Sequence, residues 1–135
     1  MTKPQRTVLV TGASSGIGKA TARLLLRQGW KVIAAARKTE SMSDLCELGA
    51  EVLPLDISDI DSRHLLMTQI HQRFGALDAL VNNAGFGDVG PVETMSIQTA
   101  RDQFDVNVFG LIGLTQLVLP EMRKRGKGRV INLSS

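Results

Sequence analysis

The chain has 135 residues, of which 43% are hydrophobic and 21% charged, a composition typical of one globular domain. Its net charge of +3 is scattered along the chain, without the basic stripe that is typical of domains that read nucleic acids. One cysteine, Cys46, excludes a disulfide within the chain, and no stretch approaches the roughly 18 apolar residues of a membrane span. We therefore expect a single cytoplasmic domain over residues 1–135, with neither nucleic acid nor membrane as a partner.

Short apolar runs alternate with helical patterns along the chain. Strands are predicted at residues 7–10, 31–36, 51–55, 78–82 and 129–133. The intervening patterns predict a helix from Ile17, one or two turns at 43–48, and a helix that starts at Ser58 in a capping-box-like pair with Asp61. This alternation predicts a parallel sheet. The runs at 31–36 and 51–55 do not alternate cleanly between apolar and polar residues, so these two strands are expected to be buried on both faces.

A long helix is predicted over residues 97–124, with an apolar stripe formed by Phe104, Val108, Leu111 and Thr115. Three helix-breaking residues fall inside it, at positions 110, 113 and 120, and are expected to bend it or to let another part of the chain approach closely. The basic residues at 123–129 flank two glycines, which indicates a solvated helix end rather than a phosphate-binding patch.

The strongest motif is the segment 11–18, Thr-Gly-Ala-Ser-Ser-Gly-Ile-Gly, between the first strand and the first helix. Its glycines allow positive φ and the close approach of a pyrophosphate, and the start of the helix offers free N–H groups. In this strand-turn-helix context the motif favours a dinucleotide site over a merely structural turn.

The end of the second predicted strand bears on the choice of dinucleotide. A carboxylate about 20 residues beyond the glycines would bind the ribose 2′-hydroxyl of NAD, but here Ala36 is followed by Arg37 and Lys38. A guanidinium suits a 2′-phosphate, so NADP(H) is expected in preference to NAD(H). The alternative is that Arg37 is an ordinary charged residue at the end of a strand.

Four motifs in order resemble the short-chain dehydrogenase/reductase family over essentially all of the chain. They are the segment 11–18, Asn82-Asn83-Ala84-Gly85, Asn107, and the predicted strand that ends in Ser134-Ser135. The resemblance implies an α/β fold, a doubly wound Rossmann-type parallel sheet of five strands in the order 3-2-1-4-5 with helices on both faces. It also implies hydride transfer between a nicotinamide and a carbonyl or secondary alcohol.

The same resemblance assigns residues to roles. The cofactor-binding set comprises Gly12, Ser14, Ser15, Gly16, Ile17, Gly18, Arg37, Asp56, Ile57, Asn83, Ala84 and Gly85. Within this set, Asp56 would bind the adenine amino group beside the backbone of Ile57, and residues 83–85 would lie along the ribose and nicotinamide. The catalytic residues would be Asn107, which holds a water in a proton relay, and Ser135, which positions the substrate oxygen.

Without the family, these residues also have structural explanations. Asp56 suits a turn or a helix entry, residues 82–85 suit a turn after a strand, and either terminal serine suits a cap or turn. Asn107 is explained equally well as a packed asparagine with a satisfied amide. His64, His71 and Cys46 are expected at the surface or in packing, and no cluster has metal-ligand spacing.

The chain also departs from the family pattern. It contains no tyrosine and ends at Ser135, before the Tyr-x-x-x-Lys that handles the proton in the family. We therefore expect the N-terminal part of an oxidoreductase for a small carbonyl or alcohol substrate, truncated before the last strands, and a homo-oligomer through the helix near residues 97–124. The alternatives are a non-catalytic dinucleotide-binding module and a methyltransferase, and Arg37 argues against the latter.

Overall fold

The computed structural model describes residues 4–134 and contains one five-stranded sheet in the order β3-β2-β1-β4-β5. All of the neighbouring strands are parallel, which confirms the expected order and direction. The strands are β1 (Thr7–Thr11), β2 (Lys31–Ala36), β3 (Glu51–Pro54), β4 (Ala79–Asn82) and β5 (Arg129–Asn132).

Helices connect the strands. They are α1 (Gly16–Arg27), α2 (Ser43–Glu47), α3 (Ile60–Phe74), α4 (Ile97–Phe104) and α5 (Leu111–Arg125). Two short 3-10 turns occur at Thr39–Met42 and Val92–Thr94, and a π-helical segment, Asp105–Gly110, joins α4 to α5. No helix in the described part of the chain is long and apolar enough to cross a membrane.

The two faces of the sheet form two separate apolar cores. On one face, Val8, Val10 and Ala34 pack with residues of α1 and α2. On the other face, Leu9 and Leu80 pack with residues of α3 and α5. Burial on both faces explains why these strands read as continuous apolar runs, and it confirms the helix-sheet-helix layering.

Two predictions about helix starts and strand burial are wrong. α3 begins after Asp59, whose carboxylate accepts a hydrogen bond from the backbone N–H of Asp61, so Asp59 and not Ser58 is the N-cap. β3 is an edge strand with a partner on one side only, so it is not buried on both faces as predicted: Pro54 is exposed, and Glu51 and Val52 are half-buried. β5 is the other edge strand, and Ile131 in it is 47% exposed.

The predicted apolar stripe of the long helix is also wrong. Phe104 and Val108 are exposed, whereas Leu114, Val118 and Met122 are the buried residues that pack in the core beneath the sheet. The π-helical segment explains the difference, because its extra residue per turn rotates α5 relative to α4 and breaks the regular spacing.

The end of α5 lies at the amino-terminal edge of the sheet. The helix ends at Gly126 with φ 70°, and Arg125 donates hydrogen bonds to the Leu77 carbonyl and to the Asp78 carboxylate, the latter at 2.9 Å. Asp78 also accepts a hydrogen bond from the backbone N–H of Thr7. The expected helix end is therefore confirmed, but Arg125 is partly buried in an ion pair rather than simply solvated.

Candidate cofactor site

A cleft of about 570 Å³ opens where β1, β2, β3 and β4 end at the carboxyl edge of the sheet. This edge is where open parallel sheets bind their ligands. Of the predicted cofactor-binding residues, all except Gly18 line the cleft: Gly12, Ser14, Ser15, Gly16, Ile17, Arg37, Asp56, Ile57, Asn83, Ala84 and Gly85. The structure thus brings together residues that four separate parts of the sequence contribute.

The three glycines of the segment 11–18 have different physical roles. Gly12 has φ 64°, and a Cβ there would lie 2.8 Å from Cα of Ala84, so this turn packs directly on the next one. Gly16 has φ 56° and open space at its Cβ position, which leaves the cleft clear. Gly18 lies beneath the cleft, where any side chain would collide with Asn83 and with the Gly12 carbonyl.

The first turn of α1 faces the cleft with its backbone donors uncapped. Ser15 is the N-cap residue with extended backbone, its side chain makes no capping hydrogen bond, and the first turn contains no acidic residue. Free N–H groups and the positive end of the helix dipole favour an anion at this point. Ile17, 68% exposed, adds an apolar wall beside them.

A hydroxyl that sequence reasoning did not single out joins the two turns of the site. Thr11 Oγ1 accepts hydrogen bonds from the backbone N–H groups of Asn83 and Ala84, each at 3.0 Å, and donates to the Val81 carbonyl. In return, Asn83 Nδ2 donates to the carbonyls of Thr11 and Gly12. Asn83 therefore holds the glycine-rich turn in place. In the sequence, the only sign of this structural role is that Asn83 directly follows a predicted strand.

The segment that would face the adenine is built as a tight turn. Asp56 Oδ1 accepts hydrogen bonds from both the N–H and the hydroxyl of Ser58, so the turn explanation for Asp56 is correct as far as that oxygen is concerned. The carbonyl of Ile57 accepts a 2.7 Å hydrogen bond from Arg63, and Cα of Gly110 packs against the same carbonyl. Helix α3 and the π-helical segment thus fix the position of Ile57.

Two basic side chains stand where β2 ends. Arg37 and Lys38 are exposed and line the cleft, and neither forms an ion pair within the described residues. No carboxylate occupies the end of β2. Charge at this end of the cleft is therefore positive, as a phosphate requires.

Asn107 lies in the π-helical segment and bonds to the main chain of Phe86 in both directions. Its Oδ1 accepts from the Phe86 N–H at 3.0 Å, and its Nδ2 donates to the Phe86 carbonyl at 2.6 Å. Because a Cβ on Gly85 would lie 2.8 Å from Oδ1, this contact also requires a glycine there. Asn107 thus has the satisfied amide that one interpretation expected, but it is exposed and not packed in the core. Its role in a proton relay stays a prediction.

The end of β5 lies beside the turn at residues 82–85. Asn82 Nδ2 donates to Asn132 Oδ1 and to the hydroxyl of Thr115, and the N–H of Leu133 donates to the Asn82 carbonyl. This network aligns the strand that leads to the two terminal serines. Ser134 is exposed, and Ser135 lies outside the described residues, so the catalytic role of Ser135 stays a prediction.

The remaining reactive side chains lie elsewhere. His64, His71 and Cys46 are exposed on helices and none lines the cleft. Over residues 4–134 there is no group of three or more His, Cys, Asp or Glu side chains that could hold a metal ion.

Comparison with known proteins agrees with this geometry. A family model described as short chain dehydrogenase matches residues 6–135. Serine 3-dehydrogenase of Agrobacterium fabrum is 38% identical over 133 residues, which cover 96% of this chain and 53% of that protein. The chain spans about half the length of the curated relatives it matches.

Solved structures are similar over almost the whole chain. A short-chain dehydrogenase from Streptomyces avermitilis superposes with a TM-score of 0.96 at 41% identity, over 99% of this chain and 50% of that one. The closed form of a serine dehydrogenase complexed with NADP+ superposes with a TM-score of 0.90 at 34% identity. This match covers 96% of this chain and 54% of that one. With a matching family model, the same sheet order and the same glycine-rich cleft, the chain belongs to the short-chain dehydrogenase/reductase family of oxidoreductases.

Proposed function

We propose that residues 1–135 form the dinucleotide-binding domain of an NADP(H)-dependent oxidoreductase that acts on a small carbonyl or secondary alcohol. The observation that carries this proposal is the pairing, in one cleft, of an uncapped helix start with the exposed Arg37 and Lys38. A dinucleotide needs both features, one for its pyrophosphate and one for a 2′-phosphate. The NADP+ complex of the similar serine dehydrogenase supports the choice of cofactor.

The residues of the cleft fit this cofactor. Gly16 leaves the space that a pyrophosphate needs, and Ser14 and Ser15 border it with hydroxyl groups. When bound, the cofactor supplies or accepts a hydride. The chain's own residues bind and orient it: Asp56 and Ile57 at the adenine end, and residues 83–85 along the ribose and nicotinamide.

Substrate positioning falls to residues near the end of β5. We assign Ser135 to the substrate oxygen and Asn107 to fixing the loop at Phe86 beside it, with a water-mediated proton path as its further role. The sequence contains no tyrosine. We therefore expect these 135 residues to bind cofactor without reducing a carbonyl, as a non-catalytic binding module also would.

The test is calorimetric titration of the chain with NADPH and NADH. We expect NADPH to bind more tightly, and Arg37→Ala to reduce that preference by about tenfold, because a charge-assisted contact to the 2′-phosphate is lost. Arg27→Ala, which removes an equal charge at the far end of α1, is the control and should leave the preference unchanged. Equal binding of both cofactors by the wild-type chain, or an Arg37→Ala variant that keeps the full wild-type preference for NADPH, would refute the assignment.

A further inference from the structure

The chain between β2 and α2 forms one wall of the cleft. We call residues 38–42 the β2–α2 segment; it contains the 3-10 turn Thr39–Met42, and its Lys38 and Ser41 line the cleft beside Arg37. Inside the fold, Met42 and the following Leu45 are fully buried and fix the inner side of the segment. The outer side, which carries Lys38 and Ser41, needs a separate restraint.

Helix α1 supplies that restraint through two cations one turn apart. Lys19 Nζ donates to the Ser41 carbonyl at 2.9 Å and to Asp44 Oδ1 at 3.0 Å, and Arg23 donates to Asp44 Oδ2 at 2.9 Å. Lys19 is the less exposed of the two cations. The hydrogen bond from Lys19 holds the pKa of Asp44 below its usual value, so this carboxylate is charged at neutral pH.

We propose that Lys19 is a positioning residue for 2′-phosphate selectivity, which acts through the Ser41 carbonyl and Asp44 to hold Lys38 and Ser41 at the cleft. This inference rests on the proposed NADP(H) function. Helix α1 then contributes to the binding of two parts of one ligand. The start of the helix faces the pyrophosphate, and Lys19, its fourth residue, orders the segment that faces the 2′-phosphate. A ligand without that phosphate gains little from the ordering.

A competing explanation is that Lys19 attracts the phosphate simply by its charge. The two explanations predict opposite effects of a substitution at Asp44 on the binding of the phosphate. Asp44→Asn breaks the tether but makes the surroundings more positive, whereas Lys19→Met breaks the tether and makes them less positive. If Lys19 acts by positioning, both variants should weaken phosphate binding. If it acts by long-range charge, Lys19→Met should weaken phosphate binding and Asp44→Asn should strengthen it.

The experiment titrates the chain and its variants with adenosine 2′,5′-bisphosphate and with adenosine 5′-monophosphate. We expect Lys19→Met and Asp44→Asn each to weaken bisphosphate binding about threefold to fivefold, the effect expected from an exposed ion pair, and monophosphate binding by less than about twofold. Arg27→Met and Glu47→Gln are the charge-matched controls on the same two helices. Tighter binding by Asp44→Asn, or no change in either variant, would overturn the proposal.

Hydrogen exchange of the free protein separates this inference from the proposed function. Both variants should exchange the backbone N–H groups of residues 41–45 faster than the wild-type chain, while the core strand β1 stays unchanged. Unchanged exchange at 41–45 overturns the tether even if the cofactor preference holds. If the wild-type chain shows no preference for the bisphosphate, the NADP(H) assignment fails, and with it the selectivity role, whatever the exchange shows.

Discussion

Individual polar side chains hold this fold at points where strands and turns meet. Thr11 joins the two cofactor turns at the carboxyl edge of the sheet, and Asp78 does the equivalent at the opposite edge. Burial alone would raise the pKa of Asp78, but hydrogen bonds from the Thr7 N–H and from Arg125, together with the nearby charges of Arg125 and Lys127, lower it below the ordinary value of 3.8. Asp78 is therefore charged in the folded protein and contributes to its stability.

Asp78→Asn should destabilise the chain by about 1–3 kcal/mol at pH 7, because a partly buried charged hydrogen-bond network loses an acceptor. Since folding lowers the pKa of Asp78, its contribution is present above 3.8 and is lost as the pH falls below that value. Thermal unfolding of both proteins from pH 7 down to pH 3 should therefore show a difference that shrinks in acid. Asp88→Asn, in an exposed loop, is the control; a pH-independent difference would contradict this account.

The residues that surround the cleft could be predicted from the sequence because the glycine-rich turn, Arg37 and the turn at 82–85 are all local patterns that follow strands. Their partners could not. Thr11 bonds to residues more than seventy positions away, and Lys19 finds Asp44 only after α1 and α2 have packed on the same face of the sheet. No local pattern carries such information, because tertiary packing decides it.

At the scale of elements, the join between α4 and α5 packs closely against the residues that follow β3 and against α3. Gly110 at this join packs against the Ile57 carbonyl, and Gly113 one turn later packs against the guanidinium of Arg63. The expectation that glycines here permit close approach is thus correct. No local pattern predicted the π-helical turn, and the hydrogen bonds of its Asn107 to the main chain of Phe86 join residues 21 positions apart.

The two glycines make a matched pair for a test. Gly110→Ala places a Cβ 2.6 Å from a backbone oxygen that cannot move alone, so we expect a loss of about 1–3 kcal/mol in stability. Gly113→Ala meets the guanidinium of Arg63, which can shift only by weakening its hydrogen bond to the Ile57 carbonyl. Because the better helix propensity of alanine offsets part of this loss, we expect a smaller change, within about 1 kcal/mol. Urea unfolding measures the free energy of unfolding of both variants. If the two variants lose equal stability, the close contact with the Ile57 carbonyl is not the reason that position 110 needs a glycine.

At the scale of the whole molecule, apolar side chains are concentrated on the outer surface of α4, the π-helical segment and α5. Ile97, Phe104, Phe109 and Ile112 are between 45% and 69% exposed. The edge strand β5 adds Ile131, and Leu133 directly after it is also exposed. Surfaces of this kind usually mark contacts with another chain, and we propose a second copy of this chain on the α4–α5 surface.

Sedimentation velocity over a range of concentrations tests this proposal. The wild-type chain should associate, and Phe109→Glu combined with Ile112→Glu should shift it towards monomer. Leu65→Glu, on the exposed side of α3, is the control and should have no effect. A cooperatively folded monomer at every concentration would refute association, and loss of association only in Ile131→Glu would place the contact at β5 instead.

The central position of β1 has a consequence for how the chain folds during synthesis. β1 is made first, yet one of its edges pairs with β4, and Thr7 bonds to Asp78, 71 positions later. At about 5–20 residues per second, a ribosome needs several seconds to deliver that partner. Until then β2 is the only one of the two native partner strands that is available to the apolar residues Val8, Leu9 and Val10. Completion of the sheet is thus a long-range closure step, which is expected to be slow and to leave the newly made strand exposed to wrong partners.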